Sequence, residues 1–327
     1  MSDKILKWGL LSTANINRSI IGPIRASKRN QLEAVASRSP EKARAYAKEW
    51  SIPRAFGTYE EMLSDPGIDV VYISLPNGLH AEWTIKAAQA GKHILCEKPL
   101  ALTVRELDAM EAAAREAGVV LAEAFMYRHH PQTLKVKQLV ADGEIGDLQL
   151  VRGSFTFDLQ KPGDVRLIPE LGGGSIWDVG CYPISYARYL VGAEPLDVFG
   201  WQYNGAETVD LTFAGQMRFP EEVYAQFDSG FRTPFRTQVE VVGSTGSLLI
   251  PRPFKPEQKE KILLQRGEDV QEIRMPGQEL YIGEIEDIAD AVLLGKPTRI
   301  SLDDSRGNLK TILALLESAR SGAPVSF

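Results

Sequence analysis

His93-Ile94-Leu95-Cys96-Glu97-Lys98-Pro99-Leu100 is the stretch whose reading decides the fold. A short apolar run ends in Glu-Lys-Pro, and Thr103-x-x-Glu106 then forms a capping box that opens a helix. Leu107, Met110, Ala114 and Ala117 fall on one face of that helix before Gly118 closes it. A strand that delivers Lys98 at its carboxyl end and is followed by a helix is a βα unit, and similar units lie on both sides. Upstream, Ile5-Leu6-Lys7-Trp8-Gly9-Leu10-Leu11 reads as a strand that turns through Ser12-Thr13-Ala14-Asn15-Ile16-Asn17 into a helix. Residues 32–38 read as a second strand with an Ala-rich helix after Pro40, 58–63 as a short helix, 68–74 as a buried strand and 79–90 as a helix closed by Gly91. Downstream, Val119-Val120-Leu121-Ala122 is one more strand. Such alternation predicts an α/β fold with a doubly wound, parallel Rossmann sheet.

Beyond residue 125 the pattern changes. Residues 131–141 read as a helix, 148–157 as a strand, 161–174 as a Pro- and Gly-rich loop and 175–190 as a helix. The runs 196–203, 208–219, 223–229, 235–242 and 247–250 follow without intervening helices, which predicts a largely antiparallel open sheet in an α+β domain. Helices return at 280–294 and 304–319. A chain of 327 residues exceeds what one core usually supports, so the expected division is into two domains, 1–124 and 125–327.

Composition narrows the function. With 44% hydrophobic and 24% charged residues the chain is of ordinary globular character, and a net charge of −6 gives no basic footprint for nucleic acid. No apolar run approaches the ~18 residues of a membrane helix, and no secretory segment is recognisable, so a cytoplasmic setting is expected. Cys96 and Cys181 lack metal or disulfide spacing, and the adjacent His129 and His130 point apart, so no metal site is expected.

In a doubly wound sheet, ligands bind beyond the carboxyl ends of the strands. That gathers the turns 12–17, 37–38, 75–80, 97–99 and 123–128. The first carries Ser12, Ala14 and Asn17 where G-x-G-x-x-G has glycines. Small residues at Ser12 and Ala14 still admit a pyrophosphate to a helix N-terminus, while Asn17 puts close helix-to-strand contact in question. Taken alone, the turn leaves open a cofactor site or an ordinary βα connection. The second strand ends in Ser37-Arg38-Ser39, without the acid that would accept an NAD ribose hydroxyl. Arginine and hydroxyls suit a 2′-phosphate, so NADP is expected over NAD, the alternative being a solvated Arg38 at a helix start.

Four segments together resemble the glucose-fructose oxidoreductase / inositol dehydrogenase (Gfo/Idh/MocA) family over essentially the whole chain. They are Glu97-Lys98-Pro99, Leu75-Pro76-Asn77-Gly78-Leu79-His80, Glu123-Ala124-Phe125-Met126-Tyr127-Arg128 with His130-Pro131-Gln132, and Gly172 through Pro183. Tyr182 is similar to the branch of dihydrodiol dehydrogenases, xylose dehydrogenases and glucose-fructose oxidoreductase, whereas inositol dehydrogenases tend to carry histidine there. His129 departs from the aromatic more usual at its position.

The resemblance implies an NADP-dependent sugar or diol dehydrogenase acting on an aldose such as xylose or glucose, with a homodimer or homotetramer built through the C-terminal sheet. An inositol-type polyol dehydrogenase and a noncatalytic NADP-binding sensor or scaffold are the alternatives. Lys98, Tyr182 and Asp178 are the implied catalytic residues. Asp178 and Tyr182, four apart on a predicted helix, share a face. Tyrosine is a poor base near neutrality unless an ammonium favours the phenolate, and Lys98 is the candidate neighbour. Tyr182 is then the general acid/base, Lys98 binds the reacting oxygen, and Asp178 orients substrate or lysine; the family also allows Lys98 itself to move the proton. Cofactor contacts are expected from Ser12, Thr13, Ala14, Asn15, Ile16, Ser37, Arg38, Leu75, Pro76, Asn77, His80, Glu97, Lys98, Arg166 and Trp177. For these the plainer readings are a surface lysine at Lys98, a helix cap at His80, a turn anchor at Glu97 and core packing at Trp177. The Lys98–Pro99 peptide is commonly cis in the family.

Overall fold

The computed structural model describes residues 4–206 and 208–327. Residues up to His129, together with Tyr281–Ser305, form one unit, and His130–Leu280 with Arg306–Phe327 form another.

In the first unit the alternation read from sequence is realised as β1 (Leu6–Leu11), α1 (Asn17–Ala26), β2 (Asn30–Ala36), α2 (Pro40–Glu49), β3 (Arg54–Phe56), α3 (Tyr59–Leu63), β4 (Val70–Ile73), α4 (His80–Gln89), β5 (His93–Glu97), α5 (Val104–Ala117) and β6 (Leu121–Ala124). All six strands are parallel, in the order β3-β2-β1-β4-β5-β6. The order reverses between β1 and β4, whose last residues Leu11 and Ile73 pair, so the ligand crevice of such a sheet opens beyond these two ends. Every residue of β4 is buried, as expected of a parallel strand covered by helices on both faces. Leu6, Trp8 and Leu10 pack with Ile20, Ile21 and Ile24 of α1. The buried Trp8 indole donates to Asn30 Oδ1 at 2.7 Å, which meets its one polar demand. At Gly9 a Cβ would stand 2.7 Å from Met62 Sδ, so glycine is what lets α3 close on β1.

The second unit contains α6 (Pro131–Ala141), β7 (Leu148–Asp158), α7 (Cys181–Val191), β8 (Asp197–Asn204), β9 (Asp210–Arg218), β10 (Tyr224–Gly230), β11 (Arg232–Gly243), β12 (Ser247–Ile250), β13 (Lys261–Arg266) and β14 (Asp269–Arg274). Its nine-stranded sheet has the order β14-β13-β12-β11-β7-β10-β9-β8-β15, where β15 is Val325–Ser326. Neighbours are antiparallel except β7 and β10, which run parallel, so the sheet is mixed and only largely antiparallel. β7, the first strand in sequence, takes a central place because α7 separates it from the meander that follows.

Before the chain reaches β15 it forms α8 (Ile282–Leu294) and α9 (Leu302–Ser321). Ile285, Ile288 and Ala289 of α8 join the core of the first unit, and Arg29 ahead of β2 donates to Glu286 at 2.8 Å and Asp290 at 2.6 Å. A single crossing at 124/125 therefore leaves out this return: α8 has an apolar stripe that the first sheet buries, and sequence position alone does not reveal which core it completes.

Candidate active site

At the end of β1, Ser12 occupies the first glycine position of the dinucleotide signature and adopts φ +149°, a conformation that favours glycine. A closed ring of hydrogen bonds holds it there. Asn17 Nδ2 donates to Ser12 O at 2.8 Å, Ser74 Oγ donates to Asn17 Oδ1 at 2.7 Å, and the hydroxyls of Ser12 and Ser74 lie 2.8 Å apart. Ser12 Oγ also accepts from Ala14 N at 3.1 Å. Asn17, fully buried, thus replaces glycine packing with a polar brace between the β1 and β4 ends. Asn17→Ala would strand the Ser12 carbonyl and leave the Ser74 hydroxyl only its contact with Ser12 Oγ, and is expected to cost about 1–3 kcal/mol. Urea unfolding checks this, and an unchanged midpoint would refute the brace.

Thr13, Ala14 and Ile16 are half-buried and Asn15 exposed in this turn. No side chain caps α1 and its first turn has no acidic residue, which leaves an N-terminus suited to phosphate. At the end of β2, Arg38 is exposed and Ser37 buried. The Ser39 hydroxyl serves as the cap of α2, accepting from Lys42 N, so it is a structural group here. Taken together, an uncapped helix start and an arginine without a neighbouring acid on the strand end fit a dinucleotide carrying a 2′-phosphate.

Lys98 is half-buried where β5 ends, and the Lys98–Pro99 peptide is cis. Glu97 is an anchor: it accepts from the Tyr72 hydroxyl and, at 3.3 Å, from Lys98 N. Burial, reinforced by Glu97, holds the Tyr72 phenol well above its ordinary range, so it stays a donor. Leu75 is buried, while Pro76 and Asn77 are half-buried at the turn into α4. His80 is the first residue of α4 and does not cap it. It is fully buried, with Nδ1 2.9 Å from Pro99 O and Nε2 2.8 Å from Leu75 O. Glu123, within β6, accepts from Leu100 N at 2.9 Å, and burial pushes its carboxyl up to about 7.

In the second unit the helix expected at 175–190 begins with a π-helical turn, Ile176–Gly180, before α7. Asp178 lies in that turn and Tyr182 in α7, so they do not share one regular α-helical face. Asp178 is bonded to Arg166 Nε at 2.6 Å, and this carboxylate raises the Arg166 pKa. Trp177 is buried. Tyr182, also buried, packs edge-on to Phe155 at 5.2 Å and tilted to Phe254 at 5.5 Å.

The glycine triad ahead of this turn has a steric basis. At Gly173 a Cβ would lie 2.7 Å from Arg166 O, and Gly174, at φ +121°, would bring one to 2.3 Å from Asp210 Oδ1. Asp210, which sequence reasoning passed over, accepts from Ser175 Oγ at 2.6 Å and Ile176 N at 2.9 Å, and so fixes the start of the turn that bears Asp178. Burial pushes its carboxyl up to about 6. Its separation of 35 residues from Ser175 explains why local patterning gave no sign of it.

Residues 6–125 match the family described as an oxidoreductase family with an NAD-binding Rossmann fold, and residues 133–249 match the GFO/IDH/MocA C-terminal domain. A D-xylose 1-dehydrogenase (NADP(+)) of Haloferax volcanii is 38% identical over 326 residues, 98% of this chain and 99% of that one. A solved 3-ketoreductase of Actinomadura kijaniata, in complex with NADP and TDP-benzene, superposes with a TM-score of 0.91 at 30% identity, covering 98% of both chains. An aldose-aldose oxidoreductase of Caulobacter crescentus, complexed with glycerol, also reaches 0.91, at 29% identity, covering 99% of this chain and 100% of the other.

Proposed function

This chain belongs to the GFO/IDH/MocA oxidoreductase family, and on that footing we propose that it is an NADP-dependent enzyme oxidising or reducing a carbinol of a sugar, such as xylose or glucose, or of a related diol. The observation that carries the reading is Lys98, held half-buried at the carboxyl end of β5 by the anchors on Glu97 and on the peptide that follows. NADP, when bound, supplies the hydride acceptor or donor. Ser12, Thr13, Ala14, Asn15 and Ile16 would receive its pyrophosphate, Ser37 and Arg38 its 2′-phosphate, and Leu75, Pro76, Asn77 and Glu97 the remainder of the cofactor, with His80, expected among these contacts, buried behind them with both ring nitrogens on backbone carbonyls. Lys98 donates to the reacting oxygen, which stabilises negative charge on it as the carbon–hydrogen bond breaks. Tyr182 takes the hydroxyl proton in oxidation and returns it in reduction. Asp178, held by Arg166, orients the substrate. In this reading the first unit binds NADP and the second binds substrate, in a cytoplasmic protein.

Assembly is proposed through the nine-stranded sheet. Trp201 and Tyr203 of β8 and Tyr224 of β10 are exposed large aromatics on one face of it, a surface a second copy could cover. A monomeric mass by light scattering would remove this part of the reading.

Purified protein incubated with NADP or NAD and a panel of aldoses, inositols and trans-diols tests the activity through reduced-nicotinamide absorbance. Reduction of NADP by an aldose or diol supports it. NADPH binding without turnover in either direction would favour the sensor or scaffold, and an inositol preference the polyol dehydrogenase. Arg38→Ala is expected to raise the KM for NADP by roughly 10- to 150-fold, the equivalent of a charge-assisted contact of about 1.5–3 kcal/mol, with little change for NAD. Equal effects on both cofactors would refute a 2′-phosphate contact.

A further inference from the structure

One peptide group next to Lys98 is gripped at both ends by buried ionisable side chains. Pro99 O faces His80 Nδ1 at 2.9 Å, and Leu100 N–H donates to Glu123 Oε1 at 2.9 Å; carbonyl and amide belong to the same Pro99–Leu100 peptide. His80 is 0% and Glu123 3% exposed, and they come from different elements, the start of α4 and β6. Burying an imidazole and a carboxyl carries a desolvation cost that an apolar pair of equal volume would avoid, so packing does not account for them.

His80 makes a second link, because its Nε2 lies 2.8 Å from Leu75 O. Both partners are carbonyls and can only accept. A neutral imidazole carries a single N–H, so it donates to Pro99 or to Leu75, and only a protonated ring donates to both. Burial and the Lys98 charge lower the His80 pKa while the two carbonyls oppose them. One buried ring therefore stands between the Leu75 loop and the Lys98 turn, and with its proton on Nδ1 it holds the Pro99 carbonyl.

We propose that His80 and Glu123 are positioning residues for Lys98: they clamp the Pro99–Leu100 peptide, His80 by donating from Nδ1 to Pro99 O and Glu123 by accepting from Leu100 N–H, so that the lysine is presented at a fixed place on the sheet end. The inference rests on the catalytic role proposed above for Lys98. Packing would be served by any side chains of the right volume, whereas a clamp needs an acceptor at Glu123 and a donor at the Nδ1 side of His80.

Four variants separate these demands. Glu123→Gln keeps an acceptor oxygen and Glu123→Met fills similar volume without one. His80→Asn sets an amide near the Nδ1 position and His80→Gln near the Nε2 position, so the first retains the bond to Pro99 and the second that to Leu75. In the protein without cofactor, amide hydrogen exchange across residues 98–102 is expected to quicken by about tenfold or more in Glu123→Met and His80→Gln, and to stay within about threefold of wild type in Glu123→Gln and His80→Asn. In an active wild type, kcat should follow the same pairing, falling about 10- to 100-fold in Glu123→Met and His80→Gln while NADPH affinity holds. Either pair suffices if a member of the other fails to fold. Exchange that is equal in all the proteins, or losses that are equal in all four variants, overturns the clamp. So does a kcat that ignores a clear exchange pattern. A wild type that turns over nothing yet shows paired exchange supports the clamp and counts against the proposed activity instead.

Discussion

A Lys98→Met protein is expected to bind NADPH with near-native affinity and to turn over roughly 10²- to 10⁴-fold more slowly than wild type. The lysine is half-buried, so part of its aliphatic stem packs against the strand end, and methionine, unbranched and of similar length, preserves that packing while removing the ammonium. What is lost is a charge aimed at an oxygen whose negative character grows as hydride leaves the carbon, an interaction stronger in the transition state than in the ground state. The loss should therefore fall on kcat and on kcat/KM together. Steady-state kinetics beside a fluorescence titration with NADPH separates the alternatives. If affinity for NADPH collapses while kcat at saturation survives, Lys98 is a cofactor ligand and nothing more.

The Lys98 turn was legible because its signals are local: an apolar run, a charged pair, a proline and a capping box within fourteen residues of one another. The parallel sheet was legible for the same reason, since each βα unit announces itself through periodicity, and the helices before Gly91 and Gly118 through a closing glycine as well. What remained hidden depends on partners remote in sequence. Asn17 looks like a defect in a glycine signature until Ser74, 57 residues away, is seen to complete its ring. His80 reads as a helix cap, yet both its nitrogens go to loop carbonyls, one of them 19 residues on. β13 and β14 escaped because β13 offers only the short run Ile262-Leu263-Leu264, of which Ile262 and Leu264 are buried, and most of β14 is exposed, an edge strand without the alternation that marks a half-buried one. The π-helical turn at Asp178 is likewise set by tertiary anchoring at Asp210, which no i, i+4 pattern encodes.

Tyr182→Phe tests the second catalytic assignment with little risk to folding. The ring is 4% exposed and makes its contacts with Phe155 and Phe254 through its edges and face, all of which phenylalanine reproduces. Stability should change by about 1 kcal/mol, the scale of one hydroxyl hydrogen bond. Turnover should fall by roughly 10²- to 10⁴-fold if the phenol moves the proton, and the limb of the pH–rate profile that reports this group should disappear with it. The double variant with Lys98→Met then decides how the two residues share the work. Groups acting in one proton-transfer step are strongly non-additive, so its kcat should lie close to that of the slower single variant rather than at the product of both losses. A Tyr182→Phe enzyme within about threefold of wild type, beside a crippled Lys98→Met, would instead assign the proton to Lys98 itself, because methionine removes both the charge and the transferable proton while phenylalanine removes only the phenol.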